Sequence, residues 1–165
     1  MSTLHMHFDR KHDIDRSERI GCRGVLLRDN KILMSYETKT GKWMIPGGGL
    51  ESGESLAQCC TREMSEETGI VVIPREHALS IIEYFDSINY INHYYLCDYV
   101  CETDRNPTAN ELEKGMVPKW IDLDEIIAIL SQHEVYEQDD PCLCGLYRRE
   151  YNALSYLKAQ LKTRR

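Results

Sequence analysis

Between residues 47 and 70 the chain reads GGGLESGESLAQCCTREMSEETGI. In its second half, Glu63, Glu66 and Glu67 fall at i, i+3 and i+4 of a segment with helical spacing, so they share one patch of helix surface. Hard oxygen donors gathered on a rigid helix suit Mg2+ or Mn2+. The arrangement is poor for stability. The helix dipole puts partial negative charge at the C-terminus, where these carboxylates sit. Each like-charged pair costs on the order of a few tenths of a kcal/mol. In sequence only Arg62 is near enough to offset them, and a bound cation would relieve the strain. Alone, EMSEE describes a solvated helix face equally well. The glycine run upstream shifts the balance, because a Gly-rich turn ahead of a helix exposes backbone N–H groups and lets a ligand approach the main chain.

The surrounding elements must hold that helix in place. Ala57, Cys60 and Met64 form an apolar stripe for the core. Ser55 and Gln58 have capping-box spacing, and Gly69 suits the C-terminal end. Upstream, IGCRGVLLRDNKILMSYE from Ile20 predicts two strands around a hairpin turn at Asp29-Asn30-Lys31, with a third short run at Trp43-Met44-Ile45 before Pro46. Downstream, β-rich runs cover 70–73, 79–85 and 90–101, and a polar loop covers 102–115. A last strand covers 119–121. A second helix, capped by Asp122 or Asp124, runs to Leu130, and a third runs from about Leu146 to Leu161. Tyr147, Tyr151, Leu154, Leu157 and Leu161 give that third helix one buried stripe. Strands, helix, strands, helix and a C-terminal helix predict an α+β or mixed-sheet α/β sandwich, not regular βαβ winding. Residues 1–17 read as a loosely ordered lead-in with a short extra strand around Leu4–Phe8, 18–131 as the main domain and 132–165 as a C-terminal helical extension.

Composition bounds the function. The chain has 165 residues, with 20 basic and 27 acidic side chains for a net charge of −7. No apolar run approaches the length of a membrane span, and the first residues hold no apolar secretory core. Seven cysteines, an odd number, without an export signal predict free thiols and a cytoplasmic location. An acidic chain repels nucleic acid at long range, so nucleic acid is not the expected partner. A small anionic substrate remains compatible, since a divalent cation inverts the local field.

The block resembles the Nudix box, G-x(5)-E-x(7)-R-E-U-x-E-E-x-G-U. Gly48, Glu54, Arg62, Glu63, Met64, Glu66, Glu67, Gly69 and Ile70 fill every specified position. The resemblance implies a Nudix (MutT-like) fold, a mixed β-sheet sandwiched between helices. It implies Mg2+- or Mn2+-dependent hydrolysis of a nucleoside diphosphate linked to another moiety, by metal-activated water. Glu63, Glu66 and Glu67 are implied as metal ligands together with the main-chain carbonyl of Gly47, with Glu66 implied either as a ligand or as a group that helps activate water. Arg62, Glu54 and Gly48 are implied as supports that orient them. The family often draws a general base from outside the box, for which Glu111 and Glu113 in loop 102–115 are the candidates. Two other readings stay open: an RNA 5′-end pyrophosphohydrolase, and a non-catalytic module that senses a nucleotide.

Arg23, in a half-buried strand, needs a partner for its charge, and relatives often place an Arg there on substrate phosphate. Tyr36, Trp43, Tyr84 and Tyr94 are aromatic candidates for stacking a base, or else strand packing. Cys142 and Cys144 form a lone pair better read as free thiols than as zinc ligands, and the N-terminal histidines read as exposed. The final Lys162-Thr163-Arg164-Arg165 suits a helix C-terminus. A homodimer is the expected assembly.

Overall fold

The computed structural model describes residues 2–7, 17–85 and 88–163. Phe8 of the expected N-terminal strand and Arg164–Arg165 of the basic tail lie outside the described residues. The strands are β1 (Ser2–His7), β2 (Ser17–Arg28), β3 (Lys31–Glu37), β4 (Trp43–Met44), β5 (Gly47–Gly49), β6 (Ile70–Tyr84), β7 (Ile88–Glu102) and β8 (Met116–Asp122). The helices are α1 (Leu56–Thr68), α2 (Ala109–Lys114), α3 (Leu123–Leu130) and α4 (Pro141–Thr163). A 3-10 turn at His133–Tyr136 leads into α4.

The strands order β1-β6-β7-β2-β3-β4, with β5 paired to β2 and β8 to β3. Pairing is mixed: β1 runs parallel to β6 and β2 parallel to β7, and the remaining pairs are antiparallel. The β2–β3 hairpin turns at Asp29 and Asn30, both at positive φ, which matches a tight two-residue connection. α1 covers one face of the sheet, where Cys60 and Met64 pack with Cys22, Leu26, Tyr95 and Cys97. α3 and α4 cover the other, where Ile126, Leu130, Tyr147, Leu154 and Leu157 pack with Val25, Met34, Leu79 and Tyr94. A mixed sheet between helices, with a C-terminal helix, is the architecture expected from the sequence.

Several boundaries differ from those expected. The runs 70–73 and 79–85 are one strand, bent by register shifts around Pro74–Glu76 and His77–Leu79, which let polar residues sit mid-strand. Loop 102–115 contains α2, a short helix with its own capping box at Thr108 and Glu111. α4 begins at Pro141 rather than near Leu146, Pro being well suited to a first helical position. Leu143 and Tyr147 of α4 belong to the main core together with Leu154 and Leu157, so α4 packs on the same core as the sheet. The start of the lead-in is the ordered strand β1, whose Met6 is buried against α4. Ala57 is exposed rather than in the α1 stripe. Cys59, Cys60 and Met64 are buried, and Leu56 packs beside them.

Candidate active site

α1 is held at both ends. Ser55 accepts from the Gln58 amide, and the Gln58 side chain accepts from the Ser55 amide, a reciprocal cap. Gly69 ends the helix in the left-handed conformation. The segment after β7 then closes over that end: the Thr103 amide donates to the Gly69 carbonyl, and the Asn106 amide to that of Glu66. Arg105 donates to the Glu67 carbonyl. The cation that offsets the helix dipole therefore comes from nearly forty residues away in sequence, which local spacing could not disclose.

β5 brings the glycine turn against α1. Glu67, 5% exposed, accepts at Oε2 from the Ser35 hydroxyl at 2.7 Å and from the Gly47 amide at 3.3 Å. Burial pushes its carboxyl up to about 7, although the Ser35 hydrogen bond works against the rise. No basic side chain pairs with it among the described residues. Burial likewise raises Glu63 above the ordinary carboxylate range. Gly48 is the reason the Glu63 carboxylate fits: a Cβ there would stand 2.4 Å from Oε1.

Arg62 organises the outer part of the patch. Its Nε and Nη2 hold the two oxygens of Glu54 at 2.8 and 3.0 Å, and its Nη1 reaches Glu63 at 2.7 Å and Glu66 at 3.2 Å. That clamp holds Glu54 down to about 2. Arg62 also donates to the Gly49 carbonyl, so helix and turn are tied by one guanidinium. Cys59 adds its thiol against the Gly48 and Gly49 carbonyls.

As the side chains stand, no three His, Cys, Asp or Glu among the described residues are spaced to hold a metal ion. Arg62 stands between Glu63 and Glu66. The donor set nevertheless fits Mg2+ or Mn2+. It is all oxygen, and each of Glu63, Glu66 and Glu67 uses one oxygen in its hydrogen bonds and keeps the other free of them among the described residues. The buried Glu67 carboxylate feels the Arg23 charge but forms no ion pair with a basic side chain among the described residues.

The other expected site residues divide. Arg23 lies beside the turn, donating to the carbonyls of Ile45 at 3.3 Å and Gly47 at 2.9 Å and to Asn92. Its charge is thus partnered by protein. Glu111 is half-buried, its charge acts on Glu67, and one oxygen, Oε2, caps α2 through the Thr108 amide. Glu113 is exposed. Tyr36 and Trp43 pack on each other at 4.4 Å, with the Lys119 ammonium 3.8 Å over the Tyr36 ring. Tyr84 is stacked on His7 and bonded to His5 at the β1–β6 edge, which departs from a place beside the glutamates. Tyr94 is fully buried, its hydroxyl on Glu150. Cys142 and Cys144 sit unbridged in the first turn of α4. Ser35, Arg105 and Asn92 were not singled out from sequence, because each reaches the site through strand pairing or a distant loop.

A model of the NUDIX domain matches residues 19–144. The Bacillus subtilis Nudix hydrolase YvcI, itself uncharacterized, is 31% identical over 103 residues, covering 62% of this chain and 65% of YvcI. The NAD-capped RNA hydrolase NudC of Vibrio atlanticus is 46% identical over 69 residues, covering 40% of this chain and 23% of NudC. The matches thus span less than two thirds of these relatives' own length. Among solved structures, a NUDIX hydrolase from Nitrosomonas europaea superposes with a TM-score of 0.60 at 25% identity, covering 83% of this chain and 90% of that one.

Proposed function

The chain belongs to the Nudix family, and from that premise we propose that it hydrolyses the diphosphate linkage of a nucleoside diphosphate joined to another moiety. The carrying observation is Glu67: a carboxylate sunk against the glycine turn, oriented by Ser35 and the Gly47 amide, with no cationic partner among the described residues. Glu63, Glu66 and Glu67, with the Gly47 carbonyl, are the groups to hold Mg2+ or Mn2+. When bound, the ion neutralises phosphate charge and lowers the pKa of its water.

The chain's own residues do the rest. Arg62 fixes the Glu63 and Glu66 carboxylates through one oxygen each and is itself anchored by Glu54, so their free oxygens are presented in a set direction. Arg23 keeps Nη2 free of hydrogen bonds among the described residues, and that N–H is suited to a phosphate oxygen. Glu111 takes a proton from the attacking water at Oε1, the oxygen not used in the α2 cap. Glu113, exposed and without a bond toward the patch among the described residues, is assigned no part.

A panel of nucleoside triphosphates, ADP-ribose, sugar nucleotides, dinucleoside polyphosphates and NAD-capped RNA, the last because the Vibrio relative is named for it, assayed with Mg2+ and Mn2+, tests the proposal. At least one member is expected to be cleaved at its diphosphate. Glu67→Gln is expected to lower that turnover by about a hundredfold or more while the protein stays folded. A wild-type chain that cleaves nothing on the panel, or a folded Glu67→Gln variant with undiminished turnover, would defeat it.

A further inference from the structure

Between α4 and the sheet lies a buried polar network that the hydrolytic site does not account for. Glu83, Asn92, Tyr94, Arg149 and Glu150 are each at least nine-tenths buried. Arg149 comes from α4, its Nη1 donating to Glu83 at 3.1 Å and its Nη2 to Glu150 at 2.7 Å. The same Glu83 oxygen accepts from the Asn92 amide nitrogen at 3.1 Å. The Asn92 amide oxygen in turn accepts from Arg23 Nε at 3.4 Å, and Arg23 Nη1 holds the carbonyls of Ile45 and Gly47. The chain of contacts runs from the C-terminal helix, across β6 and β7, to the glycine turn.

Its polarity is fixed along its length. A carboxylate on one side and a guanidinium on the other leave Asn92 one amide orientation, nitrogen toward Glu83 and oxygen toward Arg23. Two guanidinium groups and two carboxylates balance in charge. A buried cluster of this kind is weak evidence for stability, since well-packed apolar residues would often serve as well. A positional role explains its persistence better. At one end of the turn Ile45 is held by its side chain in the core, but Gly47 has no side chain with which to be gripped, since a Cβ there would lie 2.0 Å from the Cys22 carbonyl oxygen. Arg23 grips the carbonyls of the turn instead, and Asn92 decides where Arg23 points.

We infer that Asn92 and Glu83, braced from α4 by Arg149, are positioning residues that fix Arg23 and through it the carbonyls of the Ile45–Gly47 turn. The inference rests on the reading of that turn as part of the hydrolytic site, but it can be tested without hydrolysis. Arg149→Met would leave two carboxylates buried without their cation and is expected to unfold the chain, so Asn92→Leu, which removes no charge, carries the test. Amide hydrogen exchange on the full chain is the first readout. Residues 47–49 are expected to exchange at least about tenfold faster in Asn92→Leu, with the β3–β8 pairs unchanged. The second readout is Mn2+ binding by calorimetry, expected to weaken about 10- to 100-fold, as for loss of a group that orients a ligand, at a Tm close to wild type. Exchange at 47–49 that is unchanged, or that accelerates equally throughout the sheet, would overturn the relay. Should Asn92→Leu fail to fold, Asn92→Ala takes its place under the same criteria. A wild type that binds Mn2+ yet cleaves no nucleotide would defeat the proposed function and leave the relay to be judged by exchange alone.

Discussion

Arg105 donates its Nε–H to the main-chain carbonyl of Glu67 at 2.7 Å, and through Nη2 it also reaches the carbonyl of Met116 at 2.7 Å. One guanidinium therefore ties the C-terminal turn of α1 to the start of β8. It also places positive charge where the helix dipole is negative and where the acidic patch gathers. Arg105→Met removes two charge-assisted hydrogen bonds. It is expected to lower unfolding free energy by about 1.5–3 kcal/mol, measured by urea denaturation of the folded protein.

Gly48→Ala should separate function from stability. The clash falls on the far end of the flexible Glu63 side chain, which can swing aside without moving the backbone. Tm is expected to stay within a few degrees of wild type while turnover on the cleaved substrate falls about tenfold or more, because the carboxylate is displaced from its set direction. A fall in Tm with full activity would contradict this account.

Glu111 and Glu113 are two residues apart but differently placed. Glu111→Gln is expected to lower kcat by about 10²- to 10⁴-fold, the range for loss of a general base, and to leave the neutral capping interaction with Thr108 in place. Glu113→Gln is expected to match wild type. A pH–rate profile of both variants distinguishes the two carboxylates, and equal losses would remove Glu111 from the proton-transfer role.

His77 and His93 face each other around Ser80, with imidazole nitrogens 3.2 Å apart and each within 3.0 Å of the hydroxyl. Burial lowers both below the ordinary imidazole value, and for His93 the neighbouring His77 adds to it. The unfolded chain then takes up protons at a higher pH than the folded one. Stability is complete above about 6.5, the value of a free imidazole, and falls as pH drops through that value toward the lowered ones. His93→Gln is expected to flatten this part of a Tm-against-pH curve, and an unchanged slope would show that the pair does not contribute.

The box helix was legible from sequence because its information is local: the Ser55–Gln58 cap, the Gly69 stop and the spacing of three glutamates all lie within one segment. The hairpin at Asp29–Asn30 was legible for the same reason, and so was the cap of α3, open between Asp122 and Asp124 in sequence and filled by Asp122. Ala57 misled because periodicity alone does not say which edge of an apolar stripe meets the sheet, and Cys59 took the buried place. The polar residues Glu83, Asn92, Arg149 and Glu150 carry no local sequence signal for burial, yet all four are buried. Their burial depends on partners brought from three elements, which no local pattern records. Ser35 was hidden likewise: a small hydroxyl in an apolar strand carries no signal until β3 is laid beside α1.

The short strand β1 has a consequence for handling the protein. It lies parallel along β6 over six residue pairs and is the terminal member of that side of the sheet. Trimming the chain past His7 would strip this cover and leave the outer backbone amides and carbonyls of β6 unsatisfied. A bare strand border of that kind recruits other chains. Shortened versions should therefore self-associate and precipitate in proportion to concentration, even with every glutamate of the box intact.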